Sequence, residues 1–265
     1  MLRVLVNGAD GRMGSQVVKA VFEDPELEVA GGISITHVGE DVGDIAGVGY
    51  LGLTIRDDLG AALDDIKPDV VVDFTTPKVI FNNAKTCIEH GVNMVVGTTG
   101  LTAEQRHELH ALALEKKTSI FIAPNFSIGA VLMMKLSTEV APYLPDVEII
   151  ELHHNNKLDA PSGTAIMTAD KIDAARKEAG VQPAPDKTHE SLDGARGASV
   201  DGIPIHSVRL PGYIAHQQVL FGGYGELLTI RHDSMDRKSF MPGVVLAVKK
   251  VSSRPGLTFG LENYL

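Results

Sequence analysis

The stretch VLVNGADGRMG, from Val4 to Gly14, decides the fold of this chain because it joins an apolar strand to a glycine-rich turn. Gly8, Gly11 and Gly14 follow the strand and open a helical segment with the spacing GxxGxxG. Glycines at these positions permit a tight turn and let backbone N–H groups approach a pyrophosphate at the helix N-terminus. A glycine-rich turn without a ligand is the alternative, and the flanking strand and helix favour the dinucleotide site.

Short apolar strands alternate with helical segments throughout the first half of the chain. Strands are predicted at 3–6, 27–34, 70–74, 94–100 and 119–125, and helices at 12–22, from Pro77 to just before Gly91, and from Thr102 to Lys117. Thr102 and Gln105 have the spacing of a capping box for the last of these helices. The alternation predicts a parallel, Rossmann-type sheet covered by helices on both faces.

The pattern changes near Pro124. Helices are predicted at 129–141, 164–179 and 239–250, and strands at 147–152, 205–210, 215–221 and 226–232, with a polar stretch at 180–202. Turns at Pro211-Gly212 and Gly222-Gly223 indicate hairpins and therefore antiparallel pairing. The predicted fold class is α/β, with an N-terminal Rossmann-type dinucleotide-binding domain and a smaller α+β substrate domain that has a mixed or antiparallel sheet.

Composition and charge exclude several classes of partner. The chain has 265 residues and a formal net charge of −10, which argues against nucleic acid as a partner. An anionic ligand must therefore be attracted by local positive groups. No apolar run has the length of a membrane span, the N-terminus lacks a signal-peptide pattern, and the single cysteine, Cys87, has no internal disulfide partner. These features predict a cytoplasmic protein without a membrane partner.

Two turns follow the carboxyl ends of predicted parallel strands, at 97–100 (GTTG) and 123–127 (APNFS). Ligands of doubly wound sheets bind at that edge, and threonine hydroxyls with glycine backbone suit a nicotinamide ribose or carboxamide. Ordinary strand-to-helix turns are the alternative interpretation of either segment.

The end of the second strand departs from the usual dinucleotide pattern. An acidic residue often closes this strand and binds the ribose hydroxyls, and here Ser34 takes its place. Without that carboxylate a 2′-phosphate is not repelled, and Arg12 is a nearby cation. The sequence therefore predicts that NADPH is used at least as well as NADH.

The segment ELHHNNKLDAPSGTA, from Glu151 to Ala165, concentrates donors and cations beside one turn. The turn at 160–164 leads into a helix, whose N–H groups and dipole attract an anion, and Lys157 adds a formal charge. The arrangement suits a ligand that carries carboxylates. The alternatives are a polar loop in which Ser162 only caps the helix, and a metal site.

The metal alternative would use His153, His154 and Asp159. It lacks further ligands at the usual spacing, so no metal is expected. His153 and His154 point to opposite faces of a strand and share one site only if the chain leaves the strand there, which the following asparagines suggest.

With these motifs the chain resembles the 4-hydroxy-tetrahydrodipicolinate (dihydrodipicolinate) reductase family, which acts in the diaminopimelate route to lysine. The resemblance runs from end to end and is carried by NGADGRMG at 7–14, DFTTP at 73–77, GTTG at 97–100, APNFSIG at 123–129 and ELHHNNKLDAPSGTA at 151–165. It implies a dinucleotide-binding domain at 1–125, completed by 234–265, and a substrate-binding and oligomerisation domain at 126–233. It also implies a homotetramer and a small dicarboxylate substrate.

The resemblance assigns site residues as well. The implied cofactor, NADPH or NADH, is bound by Gly8, Ala9, Asp10, Gly11, Arg12, Met13, Gly97, Thr98, Thr99, Ala123, Pro124, Asn125 and Phe126. The implied catalytic residues are His153, as proton donor and acceptor, and Lys157, as proton donor. The implied substrate-binding residues are His154, Gly163 and Thr164.

The implied reaction reduces 4-hydroxy-tetrahydrodipicolinate to tetrahydrodipicolinate by hydride transfer from NAD(P)H with loss of water. One alternative is a non-catalytic dinucleotide sensor, which would not need the proton donors His153 and Lys157. The other is an NAD(P)-dependent dehydrogenase of another small carboxylate. The Ser-Gly-Thr turn beside two histidines favours the dicarboxylate imine.

Overall fold

The computed structural model describes residues 1–265 and divides the chain into two compact units. The first unit contains residues 1–128 and 240–265, and the second contains residues 129–239. No helix combines the length and the apolar character that crossing a bilayer requires.

The first unit is built on one parallel sheet of seven strands. They are β1 (Leu2–Asn7), β2 (Leu27–Ile33), β3 (Ile55–Arg56), β4 (Val70–Asp73), β5 (Asn93–Val96), β6 (Ser119–Ile122) and β12 (Gly256–Phe259). Their order in the sheet is β12-β6-β5-β4-β1-β2-β3. The central strands are short, apolar and buried, as expected of a sheet with both faces covered. The predicted parallel sheet is therefore confirmed.

Six helices belong to this unit. They are α1 (Gly14–Glu23), α2 (Val42–Ala46), α3 (Leu59–Ile66), α4 (Ile80–Glu89), α5 (Ala103–Lys116) and α8 (Met241–Lys250). The capping box of Thr102 and Gln105 at the start of α5 is confirmed. Helices α2 and α3 and strands β3 and β12 were not predicted, because α2 and β3 are too short to show a periodic pattern. The carboxylate of Asp41 caps α2 and also accepts N–H groups from the loop that follows.

The second unit contains a mixed sheet and two helices. Its elements are α6 (Ile128–Val140), β7 (Asp146–His153), α7 (Gly163–Ala179), β8 (Ala198–Val200), β9 (Ile203–Arg209), β10 (Ala215–Gly223) and β11 (Glu226–Ser234). The strand order is β11-β10-β7-β9-β8. β7 pairs antiparallel with β10 and parallel with β9. Such a mixed sheet falls within the predicted fold class.

One predicted hairpin in this unit is wrong. The Pro211-Gly212 turn does not join paired strands, because β7 lies between β9 and β10. The connection carries the chain past β7, and it is longer than the two-residue loops that favour hairpins. The second hairpin, between β10 and β11, is confirmed, with Gly223 opposite Glu226 across the turn.

Candidate active site

The glycine turn after β1 is held by close backbone contacts. Gly8 has a φ of +83°, and the N–H groups of Gly8 and Ala9 both donate to the carbonyl of Ile33 at the end of β2. A Cβ on Gly14 would lie 1.9 Å from the carbonyl oxygen of Gly8. Glycine is therefore required at position 14 by packing inside the protein, before any ligand is considered.

The first turn of α1 fits the pyrophosphate of a dinucleotide. No side chain caps this helix, and its first turn contains no acidic residue, so no carboxylate within the first turn competes for an anion. A Cβ added to Gly11 would meet only the carbonyl oxygen of Gly8, at 3.2 Å, so the space beside Gly11 is open. These features suit close approach of an anion to the backbone.

The carboxylate of Asp10, in the glycine turn, contacts the residues that follow β2. Thr36, two residues after Ser34, donates its hydroxyl to the Asp10 carboxylate and its N–H to Ser34 Oγ at 3.2 Å. Burial alone would raise the pKa of Asp10, but hydrogen bonds from Thr36 and Ser34 outweigh it and lower the pKa. Asp10 is one of the implied cofactor-binding residues, but the expected cofactor preference was drawn from Ser34 and Arg12. The contact of Asp10 with Thr36 was not predicted, because 26 residues separate them in the sequence.

A buried carboxylate organises the carboxyl edge of the first sheet. Asp73, at the end of β4, accepts hydrogen bonds from the hydroxyls of Thr98 and Thr75 at 2.7 and 2.8 Å. It also accepts from the side-chain amides of Asn7 and Asn83 at 2.8 and 2.9 Å. The hydroxyl of Thr98 is thus used inside the protein, and Asp73 fixes the turn in which it lies. Asp73 was missed as a site residue because its donors come from four separate segments.

The two predicted nicotinamide turns border one pocket. Its lining residues include Thr98, Thr99, Ala123 and Pro124. Phe126 is placed differently: its ring is buried and packs against Phe74 and Phe121, with ring centroids 5.8 and 6.0 Å apart. The Phe126 ring therefore stabilises this edge of the sheet through packing in the protein interior.

The second unit places the opening of the ELHHNNKLDAPSGTA segment on β7. Glu151 is fully buried, and its carboxylate accepts a hydrogen bond from His153 Nδ1 at 2.5 Å. Arg209 donates to both carboxylate oxygens, at 2.8 and 2.7 Å. Burial alone would raise the pKa of Glu151, but the hydrogen bonds from His153 and Arg209 prevail and lower it to about 2. Glu151 is therefore an anion at neutral pH.

Neither Glu151 nor Arg209 was predicted as a site residue. Strand periodicity offered one signal, since residues i and i+2 share a face and Glu151 is thereby placed beside His153. Arg209 carries no such signal, because it comes from β9, 58 residues along the chain.

The segment after β7 holds the predicted proton donor. The strand ends at His153, and Lys157 donates to the carboxylate of Asp159 at 2.7 Å. The hydrogen bond from Lys157 lowers the pKa of Asp159. Two residues of the metal alternative have other partners, since His153 Nδ1 contacts Glu151 and Asp159 accepts from Lys157. Histidine, cysteine and acidic side chains form no group of three suited to a metal.

Helix α7 begins at the predicted anion-binding turn. The hydroxyl of Ser162 accepts the N–H of Ala165, so Ser162 caps the helix. The N–H of Ser162 donates to Glu151 at 3.2 Å, which ties the start of α7 to the end of β7. A Cβ on Gly163 would meet nothing within 4 Å, so the surroundings of Gly163 are open. Gly163 and Thr164 are thus the residues of the first turn, next to the cap.

Both halves of the chain match one family. Residues 2–126 match the family described as dihydrodipicolinate reductase, N-terminus, and residues 129–265 match its C-terminus. The 4-hydroxy-tetrahydrodipicolinate reductase of Syntrophomonas wolfei is 50% identical over 263 residues, covering 99% of this chain and 98% of that protein. The enzyme of Listeria monocytogenes serotype 4b is 52% identical over 264 residues, covering 100% of both.

Solved structures agree with the sequence matches. A dipicolinate-bound dihydrodipicolinate reductase from Paenisporosarcina sp. TG-14 has a TM-score of 0.89 at 45% identity and covers 100% of both chains. An amine dehydrogenase from Mycobacterium smegmatis, at 18% identity, has a TM-score of 0.66 over 97% of this chain and 94% of its own, which shows a shared fold alone. The resemblance drawn from the sequence motifs is confirmed, and the chain belongs to the dihydrodipicolinate reductase family.

Proposed function

We propose that this chain reduces 4-hydroxy-tetrahydrodipicolinate to tetrahydrodipicolinate with NADPH or NADH, in lysine biosynthesis through diaminopimelate. The observation that carries the proposal is the cluster at the end of β7, where a histidine bound to a buried carboxylate adjoins a lysine and a helix N-terminus. Relatives that match the full length of the chain bear this activity in their names. A non-catalytic sensor would not need the proton donors, and family membership does not favour another carboxylate dehydrogenase.

On the cofactor side, the turn from Gly8 to Met13 would hold the pyrophosphate against the first turn of α1. The turns at 97–99 and 123–125 would border the nicotinamide ribose and carboxamide, fixed in part through the hydrogen bond from Thr98 to Asp73. When bound, the reduced nicotinamide supplies the hydride. The first unit is therefore proposed as the dinucleotide-binding domain.

On the substrate side, the N-terminus of α7 would bind a carboxylate through Gly163 and Thr164, with His154 as a further donor. Hydride reaches C4 of the ring as the 4-hydroxyl leaves, and the hydroxyl needs one proton to depart as water. Lys157 and His153 are the groups proposed to supply and exchange that proton. One NAD(P)H and one proton are consumed for each water released.

A coupled assay tests this function. An aldolase first condenses pyruvate with aspartate semialdehyde to supply the substrate. This protein is then added, and the absorbance of NADH and of NADPH is followed in separate reactions. We expect oxidation that depends on both the condensation product and this protein. Oxidation with other small oxo acids, and none with the condensation product, would refute the proposal.

Thr164→Ala tests the carboxylate site directly. Pyridine-2,6-dicarboxylate is a planar ring with two carboxylates, and a relative has been solved with dipicolinate bound. We expect the variant to bind this compound more weakly by roughly 1–2 kcal/mol, the loss of a hydrogen bond to a charged group. Calorimetric titration in the presence of cofactor measures the change. Thr138→Ala, which alters a threonine on α6, serves as the control, and equal affinity in all three proteins would remove Thr164 from the site.

Asp10→Asn tests how the chain discriminates between cofactors. The prediction from Ser34, that NADPH is used at least as well as NADH, still stands, and the Asp10 carboxylate opposes it by repelling a 2′-phosphate. Removing this charge should therefore raise the affinity for NADPH relative to NADH by about tenfold, or about 1.4 kcal/mol. Titration of each cofactor in the absence of substrate gives the ratio. An unchanged ratio would show that Asp10 does not face the 2′ position.

We also propose a cytoplasmic homotetramer that associates through the sheet of the second unit. The edge strand β11 supports this, because Leu227 is 84% exposed and the adjoining Tyr224 is fully exposed. Apolar side chains on an edge strand are a liability unless another chain covers them. Light scattering of the purified protein measures the mass.

A further inference from the structure

The fully buried carboxylate of Glu151 is the centre of a hydrogen-bond network. One oxygen, Oε2, accepts from His153 Nδ1 and from Arg209 Nη1. The other, Oε1, accepts from Arg209 Nη2 and from the backbone N–H of Ser162. Arg209 is itself fixed by a hydrogen bond from Nη2 to the carbonyl of Asp159 at 2.8 Å. Both oxygens of Glu151 are therefore fully used inside the protein.

This network dictates the protonation of the histidine ring. A carboxylate only accepts hydrogen bonds, so His153 Nδ1 must carry the hydrogen that it shares with Glu151. In the neutral ring the other nitrogen, Nε2, is then an acceptor. The side chain of His153 retains 14% of its exposure, whereas that of Glu151 retains none. Of these two side chains, the histidine is therefore the one that can reach a ligand.

We propose that Glu151 is a positioning residue, held by Arg209, which fixes His153 in the tautomer with hydrogen on Nδ1 and directs Nε2 to the substrate. The proposal rests on the proposed function, in which His153 exchanges a proton with the substrate. The same carboxylate binds the first N–H beside the predicted carboxylate-binding turn of α7. The buried carboxylate of Glu151 thus orients the ring of His153 and also holds the turn at the start of α7.

A purely structural ion pair does not account for this arrangement. Buried ion pairs contribute little net stability compared with apolar residues of similar size, because both charges lose their hydration. Arg209 alone would complete such a pair through its two bonds to Glu151, and His153 would not be needed. The histidine is the partner that a structural account leaves unexplained.

The same two strands offer a matched control. Glu148 on β7 contacts Arg196 and accepts from His206 Nε2 on β9 at 2.8 Å. This second group has the same three residue types. Odd spacing places Glu148 and Glu151 on opposite faces of β7, so the control lies away from the predicted site residues. Its carboxylate is partly exposed, with 35% of the side chain accessible.

Glu151→Gln makes a specific change in this network. The amide has one acceptor oxygen, and Arg209 and the N–H of Ser162 can only donate. The oxygen therefore takes the position of Oε1, where Ser162 and Arg209 Nη2 both donate. The NH₂ group takes the position of Oε2, where it faces Arg209 Nη1 and His153, whose ring nitrogen can become an acceptor. The tautomer of His153 should consequently reverse, with the hydrogen moving to Nε2.

The experiment combines nitrogen NMR of ¹⁵N-histidine-labelled protein with steady-state kinetics. His153→Asn identifies the resonances, and spectra are taken at about pH 9, above the usual titration range of histidine. We expect hydrogen on Nδ1 in the native protein and in Glu148→Gln, and on Nε2 in Glu151→Gln. We also expect kcat to fall at least about 100-fold in Glu151→Gln, the lower range for a lost general acid–base group, and to stay within about twofold in Glu148→Gln.

A second variant covers the event that Glu151→Gln does not fold. Glu151→Gln combined with Arg209→Met removes both charges, which avoids an unpaired buried cation. The expected tautomer and kcat are the same as for the single variant. A folded variant whose His153 keeps its hydrogen on Nδ1 would overturn the proposal, whatever its kcat. A reversed tautomer with unchanged kcat would leave the positioning role intact and refute the proton-transfer role of His153 in the proposed function.

Discussion

Lys157→Ala should lower kcat by roughly 10²–10⁴-fold, the range for the loss of a general acid. The reason is that the departing 4-hydroxyl needs a proton, and Lys157 is the cation that the segment after β7 presents. Its ammonium group donates to Asp159 at 2.7 Å, so it is oriented by a carboxylate before any substrate binds. The affinity for NADPH should change little, because Lys157 lies outside the glycine turn. Stopped-flow kinetics with saturating cofactor and substrate measure kcat.

Two further variants make this result specific. His153→Ala should lower kcat comparably, and the double variant should lose less than the product of the two losses, since groups that act as a unit are non-additive. Lys177→Ala is the matched control, because Lys177 on α7 also pairs with a carboxylate, that of Asp173, at 2.5 Å and is largely exposed. Weakened NADPH binding with a normal kcat in Lys157→Ala would show that this segment serves the cofactor.

Gly14→Ala should lower the free energy of unfolding by about 3 kcal/mol or more and abolish measurable cofactor binding. The added Cβ would lie 1.9 Å from the carbonyl oxygen of Gly8 and 2.7 Å from its carbon, and neither backbone atom can move without displacing the turn. Overpacking usually costs about 1–3 kcal/mol, and a backbone clash at this distance exceeds the usual case. Urea unfolding and calorimetric titration with NADPH measure the two effects.

Gly11→Ala separates the fold from the cofactor site. Here the nearest contact of a Cβ is the carbonyl oxygen of Gly8 at 3.2 Å, which a small shift relieves. We expect stability within about 1 kcal/mol of the native protein and a clear loss of NADPH affinity, because the methyl group occupies space beside the backbone. Equal cofactor affinity in Gly11→Ala and the native protein would contradict the assignment of this turn to the pyrophosphate.

Local patterns in the sequence predicted most of the elements of the first unit, although α2, α3, β3 and β12 were missed. The apolar run of β1, the glycines that follow it and the capping box of α5 are each formed by residues close together in the chain. Such patterns can be recognised from the sequence alone. The hairpin at Pro211-Gly212 was predicted wrongly because strand pairing depends on residues far apart in the chain. The pairing of β10 depends on β7, whose residue Glu151 pairs with Gln217, and no local pattern reports a partner so far along the chain.

The candidate site divides in the same way. The glycine turn, the two edge turns and the cluster from His153 to Thr164 were predicted, because each is a contiguous motif. Asp10 was among the implied cofactor residues, but Asp73 and Glu151 were not predicted as site residues, and the contacts of all three carboxylates were not predicted. Asp73 gathers donors from separate segments, Asp10 meets Thr36 across 26 residues, and Glu151 meets Arg209 across 58. Buried polar networks need all their partners at once, and only the folded chain brings those partners together.

Transfer of deuterium tests the central claim most directly. The condensation product is supplied with NADPH that carries deuterium at C4 of the nicotinamide, prepared separately in each of its two stereochemical forms, and the product is examined by mass spectrometry and NMR. We expect one deuterium at C4 of the tetrahydrodipicolinate ring from one of the two forms and none from the other, with one cofactor oxidised per product. A product without deuterium from either form, or no product while the cofactor is bound, would contradict the proposed reaction.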